Sequence, residues 1–146
     1  IVDMPPGTGD APLSLSQVVA LTGAVVVTTP QEVALADVRK ALGMLRQINV
    51  EIFGIIENMA GFAAPDGTRH DIFGAGGGER LAQAFDLPLL ASLPLEIGVR
   101  EGGDRGVPAV CDQGLAAAGI FRQLALKLVD ILATKHKNAP SLKIVG

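Results

Sequence analysis

The stretch AVVVTTPQEVALADVRK, residues 24–40, predicts a buried strand that leads directly into a helix. Its run of β-branched residues is typical of a parallel strand that is covered on both faces. Thr29 and Glu32 have the spacing of a capping box, and Pro30 falls at the first helical position, where its missing N–H is not needed. We therefore expect a helix over residues 31–48 whose apolar stripe covers the sheet, formed by Ala34, Leu35, Val38, Ala41, Leu42, Leu45 and Ile48.

Further strand-like runs alternate with helical patterns along the chain, which is typical of βαβ units. The predicted fold class is therefore α/β, a parallel sheet with helices on both faces. The remaining predicted segments are strands at 1–3, 52–58 and 88–93, helices near 79–85 and 114–134, and Gly-rich or Pro-rich loops at 59–78 and 94–112. We expect residues 1–134 to form one domain or part of one, and residues 135–146 to form a loose C-terminal tail.

Composition and charge exclude several classes of function. The 146 residues carry a net charge of −3 and only 3% aromatic residues, which argues against nucleic-acid binding and against an anionic membrane surface as a partner. The longest apolar runs fall far short of the roughly 20 residues that span a bilayer. Cys111 is the single cysteine, so it can form neither an internal disulfide nor a CxxC pair, and a reducing, cytoplasmic setting is expected. We expect Cys111 to be a small buried residue, and His70 and His136 to be solvated.

The segment DMPPGTGD, residues 3–10, is the first candidate for chemistry. An Asp at the carboxyl end of a buried parallel strand, followed by a turn shaped by Pro and Gly, is how nucleotide hydrolases hold Mg²⁺ and direct a backbone N–H at a terminal phosphate. Asp3 is the candidate acid and Gly7 the candidate amide donor. A strand end with a tight turn and a helix-capping Asp10 explains the same pattern without any ligand.

Three other segments offer candidate binding groups. Thr28 and Thr29 could line a pocket at the sheet edge or simply precede a well-capped helix. Asn58, in IIENMAGF, offers an amide donor and a carbonyl acceptor that suit the edge of an adenine ring, and an Asn equally suits a turn. FGAGGGER, residues 73–80, looks like a phosphate-cradling loop before a helix, but it lacks the Lys-Ser/Thr ending of a Walker A loop, which favours a structural turn.

Taken together, these segments resemble the C-terminal part of the Mrp/ApbC family of cytoplasmic P-loop ATPases, which are related to MinD, ParA and the nitrogenase iron protein. The resemblance covers residues 1 to about 134, in order and with similar spacing. It is carried by DMPPGTGD, VVVTTPQEVALADVRK, GIIENMAGF, DIFGAGGGERLA and LPLEIGVREGGDRGVPAV. It implies a P-loop NTPase fold, ATP and Mg²⁺ as cofactors, a homodimer, and iron–sulfur apoproteins as clients of a cluster carrier or scaffold.

The resemblance also implies roles for individual residues. Asp3 corresponds to the switch acid that engages Mg²⁺ through water, and residues 5–9, which include Gly7, correspond to the segment that senses the γ-phosphate. Asn58 corresponds to the residue that reads adenine. The stretch Pro94, Leu95 and Glu96 corresponds to the loop that packs against the base, and Arg100 falls in a segment close to the nucleotide.

Two departures from the family pattern limit what we expect of these residues. The half with the Walker A loop is absent, so the 146 residues alone should neither bind ATP tightly nor hydrolyse it, and the missing strand should leave an apolar gap beside residues 24–30. Ala64 stands at about the first position of the Cys-x-x-Cys that many relatives carry, so no [4Fe–4S] ligands are expected here. The alternatives are a MinD/ParA-like positioning ATPase and an inactive structural fragment.

Overall fold

Three parallel strands form the central sheet, in the order β1 (Ala24–Thr28), β2 (Ile52–Glu57), β5 (Leu89–Ser92), and a short antiparallel hairpin of β3 (Phe62–Ala63) and β4 (Arg69–His70) lies outside it. The computed structural model describes residues 1–5 and 10–138. In chain order the elements are α1 (Asp10–Val18), β1 (Ala24–Thr28), α2 (Glu32–Gln47), β2 (Ile52–Glu57), β3 (Phe62–Ala63), β4 (Arg69–His70), α3 (Gly77–Phe85), β5 (Leu89–Ser92), α4 (Ile97–Arg105), a 3₁₀ turn (Ala109–Cys111) and α5 (Ala116–Asn138).

Helices cover both faces of the sheet, as the sequence predicts. Successive strand residues point to opposite faces, so Ile55 packs with α2 and α3 whereas Ile56 packs with α5. The core under α2 and α3 consists of Val26, Leu35, Leu42, Leu45, Ile55, Leu81 and Ala82. The core under α5 consists of Ile56, Leu90, Leu93, Ala117 and Leu124. The buried residues of α2, Leu35, Leu42 and Leu45, belong to the predicted stripe.

The two edges of the sheet differ. On the β5 side, Lys127 from α5 donates a hydrogen bond from Nζ to the carbonyl oxygen of Leu90 at 2.9 Å, which occupies a polar group of the strand. On the β1 side, no further strand pairs with β1 among residues 1–5 and 10–138, and Val27 is 55% exposed. None of the helices in the described part of the chain is both long enough and apolar enough to cross a bilayer.

Residues 1–3 do not form the predicted strand. Ile1 is fully exposed and Val2 is 48% exposed, and neither pairs with the sheet within the described ranges. A β-branched sequence becomes a parallel strand only where a neighbouring strand supplies hydrogen bonds and both faces are covered. Neither condition is met at these positions.

The predicted capping box at Thr29 is also wrong. The N-cap of α2 is Gln31, whose side chain makes no capping hydrogen bond. The Glu32 carboxylate does not fold back onto the backbone, because it pairs with Arg80 at 3.0 Å and with Arg39 at 3.6 Å on the surface. The Glu32 carboxylate is thus engaged by Arg80 of α3 and by Arg39 on its own helix.

The two predicted loops and the tail contain more regular structure than the sequence suggests. The loop over residues 59–78 holds the β3-β4 hairpin, and the loop over 94–112 holds α4 and the 3₁₀ turn. Helix α5 continues to Asn138, four residues beyond the predicted boundary at 134, and residues 139–146 lie outside the described ranges.

Candidate functional site

The loops after β2 and β5 run side by side at the carboxyl edge of the sheet. Three backbone hydrogen bonds join them: the Leu93 amide donates to Glu57 O at 2.8 Å, the Ala60 amide to Leu93 O at 2.8 Å, and the Leu95 amide to Gly61 O at 2.9 Å. The β2–β5 pairing therefore continues beyond the strands. This brings Asn58 on one loop and residues 94–96 on the other into one region.

Asn58 is held at both its backbone and its side chain. Its amide donates to Thr28 O at 2.7 Å, and its Oδ1 accepts from the amide of Met59 at 2.9 Å. Met59 has a φ of 59°, in the left-handed region, so the Asn58 side chain stabilises a tight turn. Its Nδ2 donor has no hydrogen-bond partner among residues 1–5 and 10–138, and the residue is half-buried. Within the described ranges, the turn thus uses the carbonyl oxygen of Asn58 and leaves its Nδ2 donor without a partner.

The Glu96 carboxylate supports helix α5. Its Oε1 accepts from the Ala116 amide at 3.0 Å and its Oε2 accepts from the Ala117 amide at 2.8 Å, at the beginning of α5. The charge of Glu96 is therefore engaged within the fold, whereas Pro94 and Leu95 are both half-buried. Arg100 is exposed and pairs with Asp104 at 2.6 Å and Glu101 at 3.3 Å on its own helix.

Glu57 is the buried charged residue that sequence reasoning missed. It is 4% exposed at the end of β2, directly before Asn58. Its Oε1 accepts from the Gly78 amide at 2.8 Å, and its Oε2 accepts from the Ser92 hydroxyl at 3.1 Å. A charged residue directly after the apolar run IFGII was the available signal, because such a residue is seldom buried without polar partners.

The glycine-rich start of α3 is a packing feature, in agreement with the structural-turn interpretation of FGAGGGER. A Cβ added at Gly77 would lie 2.3 Å from Pro30 O, and one at Gly78 would lie 2.8 Å from the Glu57 Cβ. The helix N-terminus packs directly against the ends of β1 and β2. The position that could hold a phosphate is occupied by the Glu57 carboxylate.

Asp3 is the candidate acid of the Mg²⁺ site that the sequence predicts. Asp3 is exposed in the segment before α1, and Gly7 lies outside the described residues. Within residues 1–5 and 10–138, no group of three or more His, Cys, Asp or Glu side chains could hold a metal ion. A single solvated carboxylate is compatible only with Mg²⁺ that keeps most of its water ligands.

The residues at the family's thiol position do not fit an iron–sulfur cluster. The tip of the β3-β4 hairpin is closed by hydrogen bonds from the Ala64 amide to Thr68 O and from the Gly67 amide to Ala64 O, 2.8 and 2.9 Å long. The Asp66 carboxylate accepts from the Thr68 amide at 2.9 Å. Cys111, predicted to be buried, is instead exposed, because the 3₁₀ turn that carries it lies at the surface.

Two exposed carboxyl groups have pKa values below their ordinary range. The hydrogen bond from the Thr68 backbone lowers the pKa of Asp66. The hydrogen bond from the Arg80 side chain lowers the pKa of Glu32, and the charge of Arg39 adds to this. His70 is exposed on β4, as predicted, and the side chain of His136 is outside the described part of the chain. The two pKa shifts therefore arise from a surface turn and a surface ion pair.

Comparison with protein families decides the identity of the chain. Residues 1–129 match the family model described as "ParA: NUBPL iron-transfer P-loop NTPase". The chain belongs to this family. The predicted resemblance to P-loop NTPases of the iron–sulfur carrier type is thereby confirmed.

Curated relatives of this NUBPL-family chain are named for iron–sulfur cluster transport. The iron-sulfur cluster carrier protein of Synechocystis is 51% identical over 135 residues, which are 88% of this chain and 38% of the relative. The iron-sulfur cluster transfer protein NUBPL of Mus musculus is 44% identical over 132 residues, 88% of this chain and 41% of the relative. This chain therefore spans less than half the length of both relatives.

Solved structures similar to the NUBPL-family chain include nucleotide complexes. A nucleotide-binding protein from Archaeoglobus fulgidus in complex with ADP is 40% identical with a TM-score of 0.62, covering 70% of this chain and 43% of that one. The septum site-determining protein MinD from Pyrococcus horikoshii, complexed with Mg-ADP, is 26% identical with a TM-score of 0.70, covering 91% of this chain and 51% of that one.

Proposed function

We propose that this chain supplies the base-recognition and switch part of an ATP-binding protein that carries iron–sulfur clusters. The observation that carries the proposal is the pair of joined loops at the carboxyl edge of the sheet, with Asn58 on one and Pro94–Leu95 on the other. Open α/β sheets bind ligands at this edge. The ADP in the Archaeoglobus fulgidus and Pyrococcus horikoshii proteins supports a nucleotide as the ligand.

In this proposal the adenine ring lies against the joined loops. Asn58 donates from Nδ2 to N1 of the base, which accepts a hydrogen bond in adenine and carries a hydrogen in guanine, while its Oδ1 stays fixed by the Met59 amide. Pro94 and Leu95 contribute apolar contacts with the flat face of the base. Glu96 acts through the fold, because its carboxylate holds the start of α5 and so fixes the loop that carries Pro94 and Leu95.

Asp3 and Gly7 are proposed to act at the phosphate end of the nucleotide. Asp3 holds Mg²⁺ through water, and the Gly7 amide donates to the γ-phosphate. Magnesium supplies charge neutralisation of the phosphates when bound. We propose that a Walker A loop in the remaining length of the full protein completes the phosphate site, and that the full protein hydrolyses ATP as a cytoplasmic homodimer serving iron–sulfur apoproteins.

The cluster, as cargo, is not assigned to ligands in this chain. The hairpin carries Ala64 where many relatives have a thiol, and its tip is closed by its own backbone and by Asp66. A [4Fe–4S] cluster needs thiolates, and Cys111 is the single one that this chain offers.

A MinD-like positioning ATPase is the second candidate, because the Pyrococcus horikoshii MinD covers 91% of this chain. The carrier function is preferred, since the identity to curated carriers reaches 51% and that to this MinD is 26%. Co-sedimentation of the intact protein with liposomes or DNA that depends on ATP would favour the positioning function.

The decisive experiment measures binding and hydrolysis of Mg-ATP by the intact protein and its variants. Asn58→Ala should weaken ATP binding roughly five- to tenfold, the equivalent of one lost hydrogen bond. Asp3→Ala should abolish hydrolysis while ATP still binds. Asp37→Ala, which removes an exposed carboxylate paired with Lys40 on α2, is the control and should match the wild type. Turnover at the wild-type rate in Asp3→Ala would refute its assignment.

A further inference from the structure

Glu57, the last residue of β2, joins this strand to α3 and β5. Its backbone oxygen accepts from the Leu93 amide after β5, and its side chain binds Gly78 in α3 and Ser92 in β5. The next residue, Asn58, donates its amide to Thr28 at the end of β1. The geometry around Asn58 is thus fixed through its immediate neighbour in the chain.

The side chain of Glu57 performs the function of an N-cap for α3. An N-cap side chain accepts a hydrogen bond from the second or third amide of a helix. The N-cap position of α3 is Gly76, which has no side chain, and Gly78 is the second residue of the helix. Glu57 supplies the missing acceptor from another element, and its negative charge lies at the end of the helix where the dipole favours it.

Gly78 shows how closely the two elements fit. A Cβ at this position would lie 2.8 Å from the Cβ of Glu57 and 3.2 Å from its Cγ, both near the backbone of a buried strand. The Gly78 amide reaches the Glu57 carboxylate because the two backbones approach closely, and a side chain at position 78 would prevent this approach. Removing the Glu57 side chain leaves a helix amide and the Ser92 hydroxyl without their acceptor, and the two loops lose one of their anchors.

We infer that Glu57 is a positioning residue of the base site, acting by fixing the Asn58 loop to α3 and β5. It touches no nucleotide itself. The inference rests on the proposed function, in which Asn58 recognises adenine. Its consequence is that discrimination between adenine and guanine depends on a side chain that caps α3 from the end of β2 and lies outside the binding surface.

The test compares ADP and GDP affinities of the intact protein by titration calorimetry, together with the melting temperature of each variant. Glu57→Ala should reduce the ratio of ADP to GDP affinity roughly five- to tenfold. Ser92→Ala, which removes one of the two side-chain bonds and serves if Glu57→Ala does not fold, should reduce it about two- to threefold. Glu57→Gln should restore the ratio, because its Oε1 can accept from Gly78 and its Nε2 can donate to Ser92.

A purely structural role would give a different result. Leu45→Ala, a core truncation on α2 away from the loops, should lower the melting temperature and leave the ratio of affinities unchanged. If Glu57→Ala behaves in the same way while Asn58→Ala loses the preference for ADP, the inference about Glu57 is overturned and the proposed function stands. If Asn58→Ala also keeps the preference, the proposed base site is wrong and the inference fails with it.

Discussion

The Oε2 atom of Glu96 lies 2.8 Å from the backbone nitrogen of Ala117, so the residue directly before α4 caps α5 with its side chain. The same carboxylate also accepts from Ala116. Glu96→Ala should therefore lower the free energy of unfolding by about 1 to 2 kcal/mol, as the loss of a helix cap does. Denaturant unfolding measures this change. Glu101→Ala, which removes an exposed carboxylate on α4, should change it by less than about 0.5 kcal/mol. Equal effects of the two variants would contradict the capping role.

The adjacent glycines of α4 provide a matched pair of substitutions. A Cβ at Gly102 would lie 2.6 Å from Val107 O, in the turn that ends the helix, whereas nothing lies within 4 Å of a Cβ at Gly103. Gly102→Ala should destabilise the protein by about 1 to 3 kcal/mol because the backbone must move. Gly103→Ala should be neutral or stabilise it by up to about 1 kcal/mol through helix propensity. A thermal unfolding series on the two variants is sufficient, and the reverse order would refute the assigned geometry.

Arg46 joins the C-terminal ends of α2 and α3. Its Nη2 donates to Phe85 O at 2.6 Å, and its guanidinium carbon lies 5.1 Å from the centroid of the Phe85 ring. Arg46→Ala should lower the free energy of unfolding by about 1 kcal/mol, and Arg46→Lys should recover part of that loss through the cation–π contact. Arg39→Ala, at an exposed ion pair 3.6 Å long, should cost less than about 0.5 kcal/mol. If Arg39→Ala lowers the free energy of unfolding by a similar amount, the effect of Arg46→Ala comes from the loss of a positive charge and not from its contacts with Phe85.

Asp66 and Glu32 should titrate below their ordinary pKa values for different reasons. The pKa of Asp66 is lowered by a backbone hydrogen bond from Thr68, and that of Glu32 by Arg80. Because the folded-state pKa of Asp66 lies below the unfolded value, its contribution to the hairpin is complete above about pH 4 and is lost as the pH falls through the folded-state pKa. NMR titration measures both groups. Added salt or Arg80→Ala should raise the pKa of Glu32 and leave that of Asp66 nearly unchanged.

The sheet and its covering helices could be predicted because burial on both faces leaves a strong sequence signal. The run AVVVT predicts the buried strand, and the spacing of Leu35, Leu42 and Leu45 predicts which face of α2 is buried. The strand predicted for residues 1–3 is wrong because this segment is not buried on either face. An apolar run of three residues becomes a strand only when a partner exists, and its sequence is the same in either case.

The parts that sequence could not supply depend on partners that are distant along the chain. Glu57 contacts Gly78 and Ser92, 21 and 35 residues away, and Glu32 leaves its predicted capping role to contact Arg80, 48 residues away. Local spacing contains no information about such contacts. Besides the charged residue after IFGII, a second clue to the role of Glu57 lies in GAGGGE. A helix begins there without a side chain at its N-cap, so its first amides need acceptors from elsewhere.

The exposed edge of β1 has a consequence for handling the 146-residue chain. A valine-rich strand whose outer N–H and C=O groups face no partner among the described residues is a template for edge-to-edge pairing between molecules, the first step of ordered aggregation. Lys127 protects the opposite edge at β5 by occupying a carbonyl. Self-association of this chain in concentrated solution should therefore begin at β1. A charged residue on this strand, as in Val27→Lys, should oppose it.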